Sequence, residues 1–467
     1  MIYSLLLGCF MKQTTVEPQK QTETLSIPKV ESPRPFTPPQ ATALKLDFGA
    51  DLWVLENHSL PVLVLQVSLP GGSGFDDESW GRASLVSEML TESVGEYDAL
   101  SFSDLLYENA IEVSVSTGVY DTFIRFSFHK DQLETVLPLL NAMLFSPQFS
   151  DKDWDRVKTN QINSILQSRE DAPSLAAQYD GYFLYGAEHP IGIPSEGTPK
   201  TVDNISQDNA LSWHQSRLIP SQTKFSVVGD ISQDEIKTQL ETIFADWSTD
   251  HKLPQPVRTK TEAQTGILLL DMPDSEQTTI RIFSPAFEKN APNEHAADLA
   301  AIVMGGSFTS RLNAVLRTEK SYTYGIGARF VEEKYYNYFI TSTNVQTSVT
   351  MDALKEIFRI LGTAAEGFSA EEIQKAKASS RSSVIELSTE RKKIASQNIY
   401  AMLNDETPDY LRLDLEKNAA VSAEEMRATA PYFNPENGII LLVGDVSQYE
   451  ESLKENGFEY RKVELPE

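Results

Sequence analysis

Cysteine is almost missing from this chain: the sole one among 467 residues is Cys9, which excludes an intrachain disulfide framework and a cysteine-built zinc site. Positive charge is short as well. Forty Lys and Arg stand against 67 Asp and Glu, for a formal net charge of -27, which argues against nucleic-acid or anionic-membrane binding through a basic face. Beyond the first residues no run of about 18 apolar residues occurs, so the body of the chain carries no spanning helix. Histidine is sparse and scattered: His58, His129, His189, His214, His251 and His295 never fall close enough in sequence for two of them to share a helix face as ligands, and each reads as structural or solvated. A Gly-x-Ser-x-Gly elbow, a Walker loop and a Gly-x-Gly-x-x-Gly after a strand are also missing, which disfavours the enzyme classes built on them.

What is present suits a soluble acidic protein of more than one core, since 40% of residues are hydrophobic and the length exceeds what one core organises. The first residues stand apart. Leu5-Leu6-Leu7-Gly8-Cys9 is an apolar run ending in a small residue and cysteine, and it resembles the lipobox of bacterial lipoproteins. No Lys or Arg precedes it and the run is shorter than a usual signal-peptide core, which weakens the signal against the alternative of a chance hydrophobic terminus; a start upstream of Met1 would make it a clipped signal. Residues 1–9 are therefore expected to be a signal remnant with Cys9 lipidated. Residues 10–41, rich in Thr, Gln, Glu and Pro, are expected to be a disordered tether. The localisation this implies is the bacterial periplasm, with a lipid anchor as the only hold on the membrane.

An internal duplication sets the architecture. Val227-Val228-Gly229-Asp230-Ile231-Ser232-Gln233 returns 215 residues later as Leu442-Val443-Gly444-Asp445-Val446-Ser447-Gln448, and the same offset relates Trp53-Val54-Leu55-Glu56 to Leu268-Leu269-Leu270-Asp271. A third pair, around Ser150 and Ser369, is offset by 219, which implies a small insertion in the second copy that is later compensated. Both members of this pair read as Ser-x-x-acid capping boxes that open a helix. The expected class is α+β. Two homologous α/β domains, each a mostly antiparallel sheet packed with helices, should occupy residues 42–250 and 265–467, joined by a linker at 251–264. Within them, Val62 to Leu69 and Thr278 to Ser284 read as strands, and Ser84 to Val94 and Glu294 to Met304 as helices. Leu133 to Leu144 carries helical periodicity but contains Pro138. Gly305-Gly306 reads as a helix stop, and Gly325-Ile326-Gly327 as a strand under close backbone approach.

In the helix Arg82-Ala83-Ser84-Leu85-Val86-Ser87-Glu88-Met89-Leu90, Ala83, Val86, Met89 and Leu90 form one apolar face. Ser84, Ser87 and Glu88 share the other. In an H-x-x-E-H inverzincin that second face carries two zinc-binding His four residues apart and the Glu that activates water.

The duplicated halves, this degenerate helix and the segment Gly305 to Ala328 together resemble the pitrilysin/insulinase family of inverzincin zinc peptidases. The resemblance runs from about residue 42 to the end of the chain. Carried over, the two His positions are Ser84 and Glu88 and the base is Ser87, while the third ligand, a glutamate 77 residues beyond Glu88, falls on Ile165. Arg169-Glu170-Asp171-Ala172-Pro173 resembles the family's segment just after that ligand and supports the alignment. Spacing survives; chemistry does not. A lone Glu88 cannot replace three protein ligands, so no cofactor is expected in this chain.

The second half departs less from the family. Ser310-Arg311-Leu312-Asn313-Ala314-Val315-Leu316-Arg317, followed by Tyr324-Gly325-Ile326-Gly327, resembles the C-terminal motif in which an Arg and a Tyr seven residues later project toward the zinc site. Arg317 and Tyr324 meet that spacing. Such a pair can bind a peptide carbonyl and stabilise the oxyanion formed during hydrolysis. Two-domain relatives close face to face as pairs of chains. The resemblance therefore implies a non-catalytic subunit, inactive alone, whose partner is a paralogue with an intact H-x-x-E-H motif and bound zinc, acting together on unfolded peptides held by strand addition. The competing reading is a pseudo-peptidase scaffold or peptide-binding subunit with no share in catalysis.

Overall fold

The computed structural model describes residues 34–254 and 265–466. Cys9, the signal remnant, most of the expected tether and residues 255–264 of the expected linker lie outside the described residues. The strands in chain order are β1 (Thr42–Lys45), β2 (Asp51–Glu56), β3 (Val62–Pro70), β4 (Ser93–Val94), β5 (Glu112–Thr117), β6 (Asp121–His129), β7 (Pro147–Gln148) and β8 (Lys224–Gly229) in the first half. The second half holds β9 (Gly266–Asp271), β10 (Gln277–Pro285), β11 (Ile326–Glu332), β12 (Asn337–Gln346), β13 (Ile439–Gly444) and β14 (Tyr460–Val463). Each half builds one six-stranded sheet, ordered β1-β2-β8-β3-β6-β5 and β11-β12-β10-β13-β9-β14. The sheets are mixed but mostly antiparallel; only β2/β8, β9/β13 and β9/β14 run parallel. The class is the expected α+β.

The duplication is legible in the register. β2 pairs with β8 from Asp51 opposite Lys224 to Glu56 opposite Gly229, and β9 pairs with β13 from Gly266 opposite Ile439 to Asp271 opposite Gly444. The offset is 215 for all four limits, and again for β3 against β10. The helices Leu133–Phe145 and Thr350–Gly362 are offset by 217, and Asp151–Ser168 and Ala370–Leu387 by 219. The insertion therefore accumulates through the helical region and is gone by the closing strand. The copies differ at one edge: β1 joins β2 antiparallel from ahead, whereas β14 joins β9 parallel from behind.

Central strands are buried on both faces, so they read as continuous apolar runs rather than alternating ones. Leu52 and Val54 of β2 face the core made with the helices Arg82–Met89 and Leu133–Phe145, while Trp53 and Leu55 face the other way. That second face is covered from across the chain. The helix Arg391–Leu403, a product of the second half, lays Ile394, Ala395, Ile399 and Met402 on Trp53, Leu55, Val64 and Val228. Reciprocally, the helix Ala172–Tyr185 of the first half lays Leu175, Ala176, Tyr179 and Phe183 on Leu268, Leu270, Phe283, Leu441 and Val443. Polar contacts fix the exchange: Asn398 donates to Ser226 Oγ at 3.1 Å, Ser396 donates to Gln66 Oε1 at 3.0 Å, and Arg281 pairs with Asp180.

Several local expectations are corrected. The first helix ends at Met89, and Ser93–Val94 forms β4 against β7 instead of continuing it. The stretch Leu133–Phe145 is a helix despite Pro138, which sits on its exposed side and forgoes only the bond to the carbonyl of Glu134. Ser369 and Glu372 form a reciprocal capping box, but the Ser150 cap is one-sided. There the Asp153 carboxylate accepts Ser93 and Ser150 hydroxyls, both at 2.7 Å, instead of a backbone N–H. The close backbone approach falls on Gly305, not on Gly325 or Gly327: a Cβ at 305 would stand 2.4 Å from that of Ala328, while Gly327 faces open space.

Candidate functional site

The helix Arg82–Met89 is held by its N-terminus. The buried carboxylate of Asp76 accepts the N–H groups of Gly81 and Ala83, each at 3.0 Å, which satisfies donors that no helical carbonyl can reach. Burial pushes that carboxyl up to about 8 against the pull of Arg82, which lies beside it. Gly81 adopts φ +91, and a Cβ there would strike the carbonyl of Glu196, so the turn into the helix accepts only glycine.

The expected two-faced pattern is corrected here. Ser87 is buried, Ser84 is half-buried and only Glu88 reaches the surface. Thr117 donates its single hydroxyl proton to the carbonyl of Ala83 at 3.1 Å, so Ser87 donates to Thr117 Oγ1 at 2.7 Å. This pair stitches the helix to the end of β5. Partial desolvation, with Glu92 and Glu196 nearby, pushes the Glu88 carboxyl up. Ile165 is fully buried on the neighbouring helix Asp151–Ser168. One turn before it, Gln161 donates to the carbonyls of Gly81 (3.0 Å) and Glu196 (2.8 Å) and locks the two helices together.

The four positions that the resemblance matches to a zinc site thus lie on two packed helices, and they present two hydroxyls, one crowded carboxyl and a hydrocarbon. This donor set does not fit zinc. Among the described residues no group of three or more His, Cys, Asp or Glu is arranged to hold a metal ion. The histidines have other settings. His214 is buried with Nε2 at 2.8 Å from the carbonyl of Leu144, and burial pushes its imidazole down to about 4; His189 stacks on Tyr185.

The Arg/Tyr segment is built on irregular helix. Ile302–Gly306 and Asn313–Glu319 are both π-helical, a wide winding that is rare and concentrated at functional sites. Gly305 lets the first of them press against Ala328 of β11. Asn313, which the sequence reading passed over, anchors the second: its amide donates to the carbonyls of Ser307 (3.1 Å) and Ile326 (2.8 Å).

Two arginines six residues apart then differ completely. Arg311 is saturated. It grips both carboxylate oxygens of Glu372 at 2.7 and 3.0 Å, donates to the carbonyls of Thr363 and Gly367, and lies over Phe368. That grip holds the Glu372 carboxyl at about 2. Arg317 has no carboxylate partner among the described residues; its guanidinium lies 3.7 Å above the ring of Phe308. Tyr324 is 97% exposed. The turn beneath it is fixed by Thr323, which accepts the N–H of Gly325 at 3.1 Å and the hydroxyl of Thr343 of β12 at 2.9 Å. Ser321, at φ +55, holds a strained left-handed conformation just ahead of it. Sequence spacing had singled out Arg317 and Tyr324. It gave no signal for Asn313, and for Phe308 only an aromatic in a polar loop.

A duplicated α+β unit, with a first-half helix whose polar groups do not fit zinc and a second half that carries a half-buried Arg317 and an exposed Tyr324, defines a metallopeptidase fold with no metal-binding cluster among the described residues. Residues 54–179 match the insulinase (peptidase family M16) profile and residues 204–380 match the peptidase M16 inactive domain. The chain belongs to peptidase family M16. It is similar to the non-peptidase homolog YmxG of Helicobacter pylori, with 26% identity over 59% of this chain and 63% of that protein, a span just under two thirds of the relative's length. It is also similar to an uncharacterized zinc protease of Mycobacterium leprae, with 20% identity over 72% of this chain and 76% of that one. Among solved structures, the peptidase M16 inactive domain from Pseudomonas fluorescens superposes with a TM-score of 0.78 at 20% identity, covering 86% of this chain and 97% of that one. A protease from Helicobacter pylori gives 0.78 at 16% identity, covering 87% and 100%.

Proposed function

We propose that this chain is the non-catalytic subunit of a heterodimeric zinc metallopeptidase. The similarity to a non-peptidase homologue and the emptied ligand set agree with a chain that hydrolyses no peptide by itself. The observation that carries the reading is the contrast between the two halves. The zinc-type helix is stitched into the fold by hydroxyls, while Tyr324 stands exposed and the half-buried Arg317 meets an aromatic ring and no carboxylate among the described residues. In a closed pair these groups would reach the zinc site of a paralogue carrying H-x-x-E-H. There they would bind a peptide carbonyl and share the charge that develops on its oxygen. Among the described residues β5 and β11 are outer strands, each with one unpaired edge to which an unfolded peptide can add.

The test is to reconstitute the pair and compare turnover at matched assembly. Tyr324→Phe, which removes one hydroxyl, and Arg317→Ala should each lower kcat by roughly 10²-fold to 10³-fold with a smaller effect on KM. Normal assembly and wild-type turnover in both variants would leave the scaffold reading in its place. The anchor belongs to the same proposal: Cys9 carries lipid and holds the pair at the periplasmic side of a membrane. Mass spectrometry of the native N-terminus decides that point, and an unmodified Cys9 removes it.

A further inference from the structure

We infer that Phe308 is a positioning residue for Arg317, holding its guanidinium flat so that the N–H edge is presented outward; the inference rests on the proposed role of Arg317 in trans. Phe308 is 70% exposed, which the core does not explain, for it contributes to neither hydrophobic cluster of the second half. Its ring lies 3.7 Å from the guanidinium carbon of Arg317, the closest cation–ring contact among the described residues. Stacking of this kind uses the π face of the guanidinium and leaves its in-plane donors free, so an arginine held on an aromatic ring still offers a fork to a carbonyl or carboxylate.

The alternative way to hold an arginine appears six residues earlier. Arg311 is fixed by a carboxylate and two carbonyls, and its donors are consumed. An arginine fixed in that manner could not receive substrate. Arg317 is instead ordered without being neutralised. A long flexible side chain loses rotamer freedom on being fixed, and a residue already stacked has lost part of it before substrate arrives. The backbone under both residues is fixed independently of the stack. Asn313 bonds the carbonyl of Ser307, next to Phe308, and lies one turn before Arg317 on the same π-helical segment. Phe308 and Arg317 therefore keep their spacing even when one side chain is changed.

Two measurements test the inference. In the isolated full-length chain, nitrogen-15 arginine spectra, with Arg317 assigned through Arg317→Lys, should show its side-chain N–H displaced by the ring current. The displacement should vanish in Phe308→Ala and persist in Phe308→Trp. In the reconstituted pair, Phe308→Ala should lower kcat roughly threefold to thirtyfold with little change in KM, and Phe308→Trp should recover most of it. The two side chains should also be non-additive: with Arg317→Ala already present, Phe308→Ala should do nothing more. An equal loss from Phe308→Ala with and without Arg317 overturns the inference while leaving the catalytic reading of Arg317 standing. A silent Arg317→Ala overturns the catalytic reading, and with it the role assigned to Phe308.

Discussion

Asn313 and Ile326 exchange two hydrogen bonds across thirteen residues: the asparagine amide donates to the carbonyl of Ile326 at 2.8 Å and its Oδ1 accepts the backbone N–H of Ile326 at 3.2 Å. The side chain imitates a neighbouring strand and ties the π-helical segment Asn313–Glu319 to the start of β11. Arg317 and Tyr324 both lie within the segment that this tie closes. Asn313→Ala leaves buried backbone groups unpaired and should lower stability by roughly 2–4 kcal/mol in urea unfolding. Asn313→Asp sets a buried carboxylate against the carbonyls of Ser307 and Ile326 and should cost at least as much. A destabilisation under about 0.5 kcal/mol for Asn313→Ala would show that the tie is not held by this side chain.

The wild-type chain should retain no stoichiometric zinc after dialysis, as read by elemental analysis. Reintroducing ligands should be uneven. Glu88→His lies at the surface and should change stability by less than about 0.5 kcal/mol, whereas Ile165→Glu places a carboxylate in a fully buried position and should cost about 3 kcal/mol or more. One tightly held zinc per wild-type chain, lost in Glu88→Ala, would overturn this.

A carboxyl nest gives the second half a pH dependence of definite sign. Burial, then the charge of Glu294, pushes Asp298 up; burial, then Asp298 and Glu294, pushes Glu332 up; burial holds Asp414 at about 6 despite Lys417. Lys289 lies near all three carboxyls and pulls the other way. Groups raised in the folded state bind more protons folded than unfolded. Their stabilising effect is complete below the ordinary carboxylate pKa of about 4 and is lost as pH rises toward the folded values, by at most about 1.4 kcal/mol per pH unit for each group. Urea midpoints measured from pH 5 to 9 should therefore fall less steeply in Glu332→Gln than in wild type. Parallel profiles would show that Glu332 does not carry the proton.

Neither half should fold by itself. Residues 265–466 alone would expose Leu268, Leu270, Phe283, Leu441 and Val443, the face covered by the helix Ala172–Tyr185. The fragment should lack a near-ultraviolet circular dichroism signal and gain one on co-expression with residues 38–254. A cooperative unfolding transition in the isolated fragment would sink this expectation.

Strands and duplication were legible because apolar runs bounded by Gly-Asp repeat at a fixed offset, and a pairing register inherits that offset directly. The helix exchange was not legible. Helical periodicity in Ala172–Tyr185 reports that one face is buried but carries no information about which sheet buries it. The two faces assigned to Arg82–Met89 misled for a related reason: Ser87 is polar yet inward, because Thr117 supplies the partner that makes its burial inexpensive. Arg317 and Tyr324 were found by spacing alone. Asn313 and Phe308 were missed, since one acts on backbone atoms that no sequence pattern displays and the other on a side chain nine positions away.

The reciprocal covering of the two sheets also bears on the order in which the protein is made. Arg391 bonds Asn57 across 334 residues, and Ser396 bonds Gln66 across 330. A ribosome delivers the first sheet long before the helix Arg391–Leu403 that covers its outer face, so the nascent N-terminal half waits with Trp53, Leu55, Val64 and Val228 uncovered. Contacts this distant in sequence form slowly, and apolar surface left open meanwhile is what holding chaperones recognise. Completion of the oldest part of the chain depends on one of the last helices to be synthesised.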